Sequence, residues 1–316
     1  MMMFRKKPVH RVGIDIGASS LRLLELRKLA GHTRLEHYAC RALPESAVVG
    51  KQVRDVDAVG SALQQCVRSG APSPQQACIA VPGTAAIIKT LALDAALTDA
   101  ELENQMGLEA AEHVPYALEE VAVDYARLPL QDPGSHGATV LLVACRQDCM
   151  AARLLALQMG GFTARAVDVE TFAIQRVCHW LHRYARLPPA RVVAVLDIDI
   201  GMTTLYLLAN GYCQHLQEQA TTAGHAGLTA TLVRSLQFLG AASRCGPVEL
   251  VVLAGALATT PALAATLEQA TQVPTVVADP FAGMELSAGI DRQALQQEAP
   301  ALLLALGLAL WGFGRD

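Results

Sequence analysis

The chain has 316 residues, of which 52% are hydrophobic and only 4% aromatic, enough for about two domains with cores built mainly from Ala, Leu and Val. A formal net charge of −4 without a long basic tract excludes nucleic acid as a partner. Eight cysteines with no CxxC pair, mostly inside apolar runs, read as reduced buried thiols rather than a disulfide frame or a zinc site. The N-terminal basic cluster of Arg5, Lys6 and Lys7 with Arg11 reads as a solvated tail, with weak attraction to an anionic membrane surface as the alternative. No signal peptide is recognisable. The most apolar run, 301–313, is shorter than the ~20 residues a spanning helix needs, and Asp197 and Asp199 interrupt 192–209. A cytoplasmic chain without a transmembrane segment is expected.

Taken in order, 12–26 (VGIDIGASSLRLLEL) reads as a strand, a tight turn at Gly17 and a second strand, and 35–42 as a third strand closing a meander. Residues 57–68 form a helix with Val59, Leu63, Cys66 and Val67 on one face, ended by Gly70 and Pro72. A buried strand at 77–81 stops at Pro82-Gly83, and a strand at 85–93 follows. Thr98 and Glu101 form a capping box opening a helix that Pro115 breaks. Strands at 121–125 and 139–145 flank a polar loop at 131–137. A helix at 147–159 then leads through Gly160-Gly161 to a strand at 162–169. The order β-α-β-β-α-β over 85–169 predicts a small α+β insert with one antiparallel sheet. A helix at 170–185 and the pair Pro188-Pro189 precede a second hairpin at 192–208. Asn210-Gly211 is a hairpin-turn signal that pairs 212–218 back onto it. Then come a small polar loop (221–227), a helix (228–243), a buried strand (248–254) running into Gly255, a helix (261–270), a last strand (273–278) and a final apolar helix (300–313) expected to pack onto the first half.

One pattern occurs twice. Asp15-Ile16-Gly17-Ala18-Ser19-Ser20-Leu21 returns as Asp199-Ile200-Gly201-Met202-Thr203-Thr204-Leu205, with the Asp, Ile, Gly, hydroxyl pair and Leu at equal offsets. In such a turn Gly lets the main chain approach a ligand, turn amides and Ser or Thr hydroxyls hold phosphate oxygens, and Asp holds a hydrated Mg2+ or orients a water. A lone Asp-x-Gly turn is usually structural. Two copies suggest similar half-domains facing each other across a nucleotide cleft, an arrangement that resembles the ATPase fold of actin and the sugar kinases.

Several stretches together resemble one family, PilM, the actin-like cytoplasmic protein of type IV pilus assembly and a relative of the division protein FtsA. They are 13–26 (GIDIGASSLRLLEL), 85–124 (AAIIKTLALDAALTDAELENQMGLEAAEHVPYALEEVAVD), 161–177 (GFTARAVDVETFAIQRV), 194–208, 235–238 (SLQF), 251–255 (VVLAG), 274–284 (PTVVADPFAGM) and 299–310 (APALLLALGLAL). The resemblance implies an α/β, actin-like ATPase fold of duplicated RNase H-like domains. Subdomain 1A would hold 1–83 with 166–190 and 300–316. An FtsA-like 1C insert would hold 84–165, and subdomain 2A 191–299. Carried over residue by residue, it implies a first phosphate loop of Asp15, Gly17, Ser19 and Ser20, with Arg22 where family members often carry Lys. The second loop would be Asp197 or Asp199 with Gly201, Thr203 and Thr204. Gly255 would open the adenosine loop, and Asp15 and Asp197 would be the metal positions. Internal repetition favours Asp199 in the second loop; the family pattern favours Asp197, with Asp199 in a glycine position where an acid repels phosphate. The chain is also short between Glu218 and Ser235, where the family builds most of subdomain 2B and a wall of the adenine pocket. A reduced or missing 2B around 218–243 is therefore expected. Each apolar Å2 lost from that wall weakens binding by roughly 25 cal/mol, so ATP and Mg2+ are expected to bind weakly or not at all.

The partner implied is the cytoplasmic N-terminal tail of an inner-membrane PilN-like protein, taken up in a groove near 1A and 1C, which would hold the chain at the inner membrane. Other pilus assembly proteins and further copies of the chain are implied as additional partners. A reading of another class is a small-molecule kinase or active ATPase, which needs a general base in the cleft. Asp168 and Glu170 are the candidates, and their bland role is to cap the helix that starts there. A third reading is a scaffold for another envelope secretion machine. The pilus scaffold, with at most slow ATP hydrolysis, is preferred.

Overall fold

A computed structural model describes residues 9–29, 32–68, 76–128, 137–184, 187–221, 225–242 and 245–313. The basic cluster of Arg5, Lys6 and Lys7, the helix stop at Gly70 and Pro72, the loop 131–136 and part of the loop 221–227 lie outside the described residues. The chain forms two compact units, one of residues 1–80 with 153–316 and the other Val81–Ala152.

The first unit contains two sheets of the same design. In the first, β1 (Val9–Ile16), β2 (Ser20–Lys28) and β3 (Thr33–Ala42) form an antiparallel meander. A short ribbon, β4 (Val48–Val49) and β5 (Gln52–Val53), and helix α1 (Val56–Arg68) then lead to β6 (Gln76–Val81), parallel to β1. With β10 (Thr163–Val169) and the short β16 (Glu285–Leu286) the order is β10-β6-β1-β2-β3-β16. The second sheet repeats the plan. The meander of β11 (Val192–Ile198), β12 (Met202–Ala209) and β13 (Tyr212–Ala220) is joined by parallel β14 (Leu250–Ala254) and β15 (Thr275–Val277), in the order β13-β12-β11-β14-β15.

Central strands in both sheets are buried on both faces, which is why they read as near-continuous apolar runs. In β11, Val193 and Val195 join a core shared with α4 (Glu170–Tyr184) and α8 (Leu303–Ala309), while Val192, Ala194, Leu196 and Ile198 join a core with α5 (His225–Ala242) and α6 (Leu263–Thr271). In the first sheet Leu24 and Leu26 face α4 and α8. Leu21 and Leu23 face α1 and the end of α3 (Gln147–Met159). α4 and α8 thus lie between the sheets. The approach is close: a Cβ on Gly13 of β1 would stand 2.1 Å from the Ala305 carbonyl oxygen, and one on Gly307 2.2 Å from that of Ala173. The final helix expected at 300–313 begins instead as a 3-10 turn, Ala299–Leu302, before α8. Pro300, which lacks an N–H, sits in its first turn, where no intrahelical donor is needed.

From β13 to β14 the chain travels through one helix, α5, followed by α6 between β14 and β15 and α7 (Arg292–Glu298) before the last turn. Asn210 and Gly211 both have positive φ, 51° and 82°, the primed turn that suits the twist of a two-residue hairpin.

In the second unit β7 (Ala86–Asp94), β9 (Gly137–Arg146) and β8 (Val121–Arg127) make a three-stranded antiparallel sheet in the order β7-β9-β8. Leu102, Met106 and Ala110 of α2 (Asp99–His113) pack on Val121, Val140, Leu142 and Ala144. α2 opens with the expected capping box: Thr98 Oγ1 accepts the Glu101 amide at 3.3 Å and Glu101 Oε2 accepts the Thr98 amide at 2.8 Å. The sheet expected over 85–169 loses its last strand here. β10 lies beside β6 in the first sheet, because Phe162 joins the core under α1 while Val169 is buried at the start of α4.

Candidate functional site

The two hairpin turns define the site, and their hydrogen bonds fix how they correspond. In the first, Asp15 pairs across from Arg22, and the Gly17 amide donates to the Ser20 carbonyl at 3.0 Å. In the second, Asp197 pairs across from Thr204, and the Asp199 amide donates to the Met202 carbonyl at 3.0 Å. Asp197 therefore occupies the place of Asp15, and Asp199 that of Gly17. The equal-offset repetition in the sequence, which aligned Asp199 with Asp15, is two residues out of step with the backbone. A carboxylate thus stands where the first hairpin has a glycine.

That carboxylate is claimed internally. Arg22, 2% exposed, donates from one guanidinium nitrogen to Asp15 Oδ2 at 2.9 Å and from the other to Asp199 Oδ1 at 2.6 Å. Asp199 Oδ1 also accepts the Ala256 amide at 2.8 Å, and its carbonyl accepts the Thr221 hydroxyl at 2.6 Å. Gly255, at φ +86°, sits so tightly that a Cβ would lie 2.5 Å from the Ile198 carbonyl oxygen. Burial alone would lower the Arg22 pKa, but the charges of Asp199 and Asp15 outweigh it and the pKa is raised. Asp15 is raised, because burial outweighs the pull of Arg22. Burial and the neighbouring Asp199 push Asp197 up to about 7 against the pull of Arg22 and Lys51.

A second buried cation lies beside the first. Lys51, in the turn between β4 and β5 at φ 58°, places Nζ 2.5 Å from Glu170 Oε2 and 3.5 Å from Glu218 Oε1. Tyr206 donates its hydroxyl to the same Glu170 oxygen at 3.3 Å, and Arg153 donates to the Lys51 carbonyl. Burial works against the charged Lys51, yet Glu170 and Glu218 raise its pKa.

Of the residues singled out in the sequence, Asp15, Gly17, Asp197, Asp199 and Thr204 border one cavity of about 20 Å3, together with Lys51 and Glu170. That is close to the room a single water needs. Ser19, Ser20, Gly201, Thr203 and Gly255 lie outside its lining, and the Thr203 hydroxyl pairs with that of Thr221 at 2.8 Å. Lys51 escaped the sequence reading: its one signal was a Gly50-Lys51 turn, indistinguishable from a surface loop. The candidate bases are both engaged. Asp168 Oδ2 is held by Arg176, and its Oδ1 accepts the Val169 amide; Glu170 is held by Lys51. Among the described residues no group of three or more His, Cys, Asp or Glu is arranged to hold a metal. No described helix is long and apolar enough to cross a membrane.

Two sheets that share one five-strand order, the first with β16 added at its edge, and that meet at paired hairpin turns define the class: a protein with the actin-like ATPase fold. A chain of the PilM–PilN type IV pilus biogenesis complex superposes with a TM-score of 0.75 at 24% identity, covering 96% of this chain and 98% of its own. The ethanolamine utilization protein EutJ from Carboxydothermus hydrogenoformans superposes at 0.52 with 12% identity, covering 97% of this chain and 91% of its own. Both likenesses are of fold. The profile of the family described as type IV pilus assembly protein PilM matches residues 13–229 and 224–313. The chain belongs to that family.

Proposed function

We propose that this protein is a scaffold of type IV pilus assembly that binds the cytoplasmic N-terminal tail of an inner-membrane PilN-like protein and binds ATP weakly or not at all. Family membership supports the pilus role, and PilN is the partner in the complex whose chain shares this fold. The observation that carries the ATP half is the Arg22 bridge. Asp15, one of the two metal positions, and Asp199, the acid that stands in the glycine position where a phosphate would approach, already share one buried guanidinium. The Ala256 amide, which a nucleoside loop would offer to a ligand, is spent on Asp199. With a cavity of about 20 Å3 between the turns, the residues as arranged do not fit a metal and a polyphosphate. In this reading the protein is cytoplasmic and peripheral to the inner membrane through its partner.

Calorimetry on metal-free, nucleotide-free protein tests both halves. The tail peptide should bind without nucleotide, and millimolar Mg-ATP should give no heat. Micromolar or tighter ATP affinity that survives Asp199→Gly and disappears in Asp15→Ala overturns the ATP half. A silent tail titration overturns the partner half.

A further inference from the structure

The cation-centred networks do more than fill a cleft, because Arg22 ties the first sheet to the second and Lys51 ties the β4–β5 ribbon, which follows β3, to the second sheet. Arg22 belongs to β2, yet one of its two carboxylates, Asp199, follows β11. Lys51 belongs to the β4–β5 turn, and its charge partners are Glu170, at the start of the helix between the sheets, and Glu218 of β13. Tyr206 of β12 binds the same Glu170 oxygen from the second sheet. The side chains of Arg22, Lys51 and Glu170 are each less than a tenth exposed.

We propose that Arg22 and Lys51 form a built-in clasp that holds the two sheets in one arrangement without any ligand. The inference rests on the scaffold reading and deepens it: the clasp is the device that makes the scaffold rigid. Separating the sheets parts the Arg22–Asp199 pair and draws Lys51 away from Glu218 while neighbouring charges are still partly buried, and a buried charge without its partner is costly. Buried ion pairs add little net stability over apolar side chains, but an arrangement that leaves one partner buried and unpaired is strongly destabilised. A ligand shifts such an equilibrium only by its differential affinity for the open and closed states. A polyphosphate has no cation here to meet that is not already engaged, so the arrangement is insensitive to nucleotide.

Distance measurements between spin labels on unnatural residues at Gln65 of α1 and Gln269 of α6, both exposed, test this on the full chain. The wild type should give one narrow distance, unchanged by millimolar Mg-ATP. A charge-compensated variant, Arg22→Met with Asp15→Asn and Asp199→Asn, and Lys51→Met with Glu170→Gln, should give a broadened or shifted distribution. A broad wild-type distribution, a shift with Mg-ATP, or a folded compensated variant with the wild-type distance overturns the clasp. Should that variant not fold, Arg22→Lys takes its place: its single ammonium cannot span both carboxylates as the fork does, and an unchanged distance then overturns the proposal. Tail binding is titrated on the same samples. A rigid wild type that binds no tail refutes the scaffold while leaving the clasp standing.

Discussion

Arg22 is among the largest fully buried side chains of the protein, and it faces two carboxylates rather than one. Arg22→Met leaves Asp15 and Asp199 confronting each other in a dry site. Breaking one side of a buried ion pair costs about 3–5 kcal/mol. Chemical denaturation should register that loss, and adding Asp15→Asn and Asp199→Asn should return most of it; a triple variant no more stable than the single one refutes the account. Asp197 behaves oppositely. Its carboxyl is pushed up to about 7 by burial and by Asp199, against about 3.9 in an unfolded chain. An acid with a raised folded-state pKa contributes stability below the unfolded value and loses it as pH rises through the folded value. Asp197→Asn should therefore gain in Tm over the wild type progressively between about pH 4 and pH 7 and keep a constant margin above that. A pH-independent difference would show that Asp197 does not titrate there.

Among elements, β1 and α8 depend on contact between backbones. Gly13→Ala would put a methyl 2.1 Å from the Ala305 carbonyl oxygen and 2.5 Å from the Ala309 amide nitrogen, neither of which can swing aside. Overpacking of this kind costs about 1–3 kcal/mol or more. Gly107 of α2 is the control, since a Cβ there meets nothing within 4 Å and Ala is favoured over Gly in a helix interior by roughly 0.5–1 kcal/mol. Thermal unfolding should show the two substitutions with opposite signs. The capping box at Thr98, the Asn210-Gly211 turn and the amphipathic α1 were all legible beforehand, because each is decided by neighbours within about four residues. The allegiance of β10 was not: strand pairing over a long separation leaves no trace in the strand's own residues.

For the molecule as a whole, the second unit is the part that can be removed with least loss of core. We propose that it supports tail binding. Replacing 83–146 by a short linker keeps β6, α3 and β10, the last of which lies in the first sheet. The shortened protein should retain a cooperative unfolding transition and bind no tail peptide in calorimetry. Undiminished tail binding by a folded deletion variant would place the binding surface elsewhere. The family and the duplicated fold were readable from the chain, since apolar runs, turn glycines and the stretches shared with PilM extend over nearly its whole length.

The sequence by itself determined the run of strands and helices, the two Asp-bearing turns and the actin-like class, because local periodicity and turn chemistry carry that information. It also placed an acid, Asp199, two residues after Asp197, but left open which of them matches Asp15. Only the tertiary structure decided this: backbone hydrogen bonds set the register, and side-chain identity at equal offsets does not. The tertiary structure alone also brought Arg22 to Asp199 and Lys51 to Glu170 and Glu218. Charges far apart in sequence meet through the packing of two sheets around α4 and α8, and no pattern along the chain encodes which buried cation finds which carboxylate.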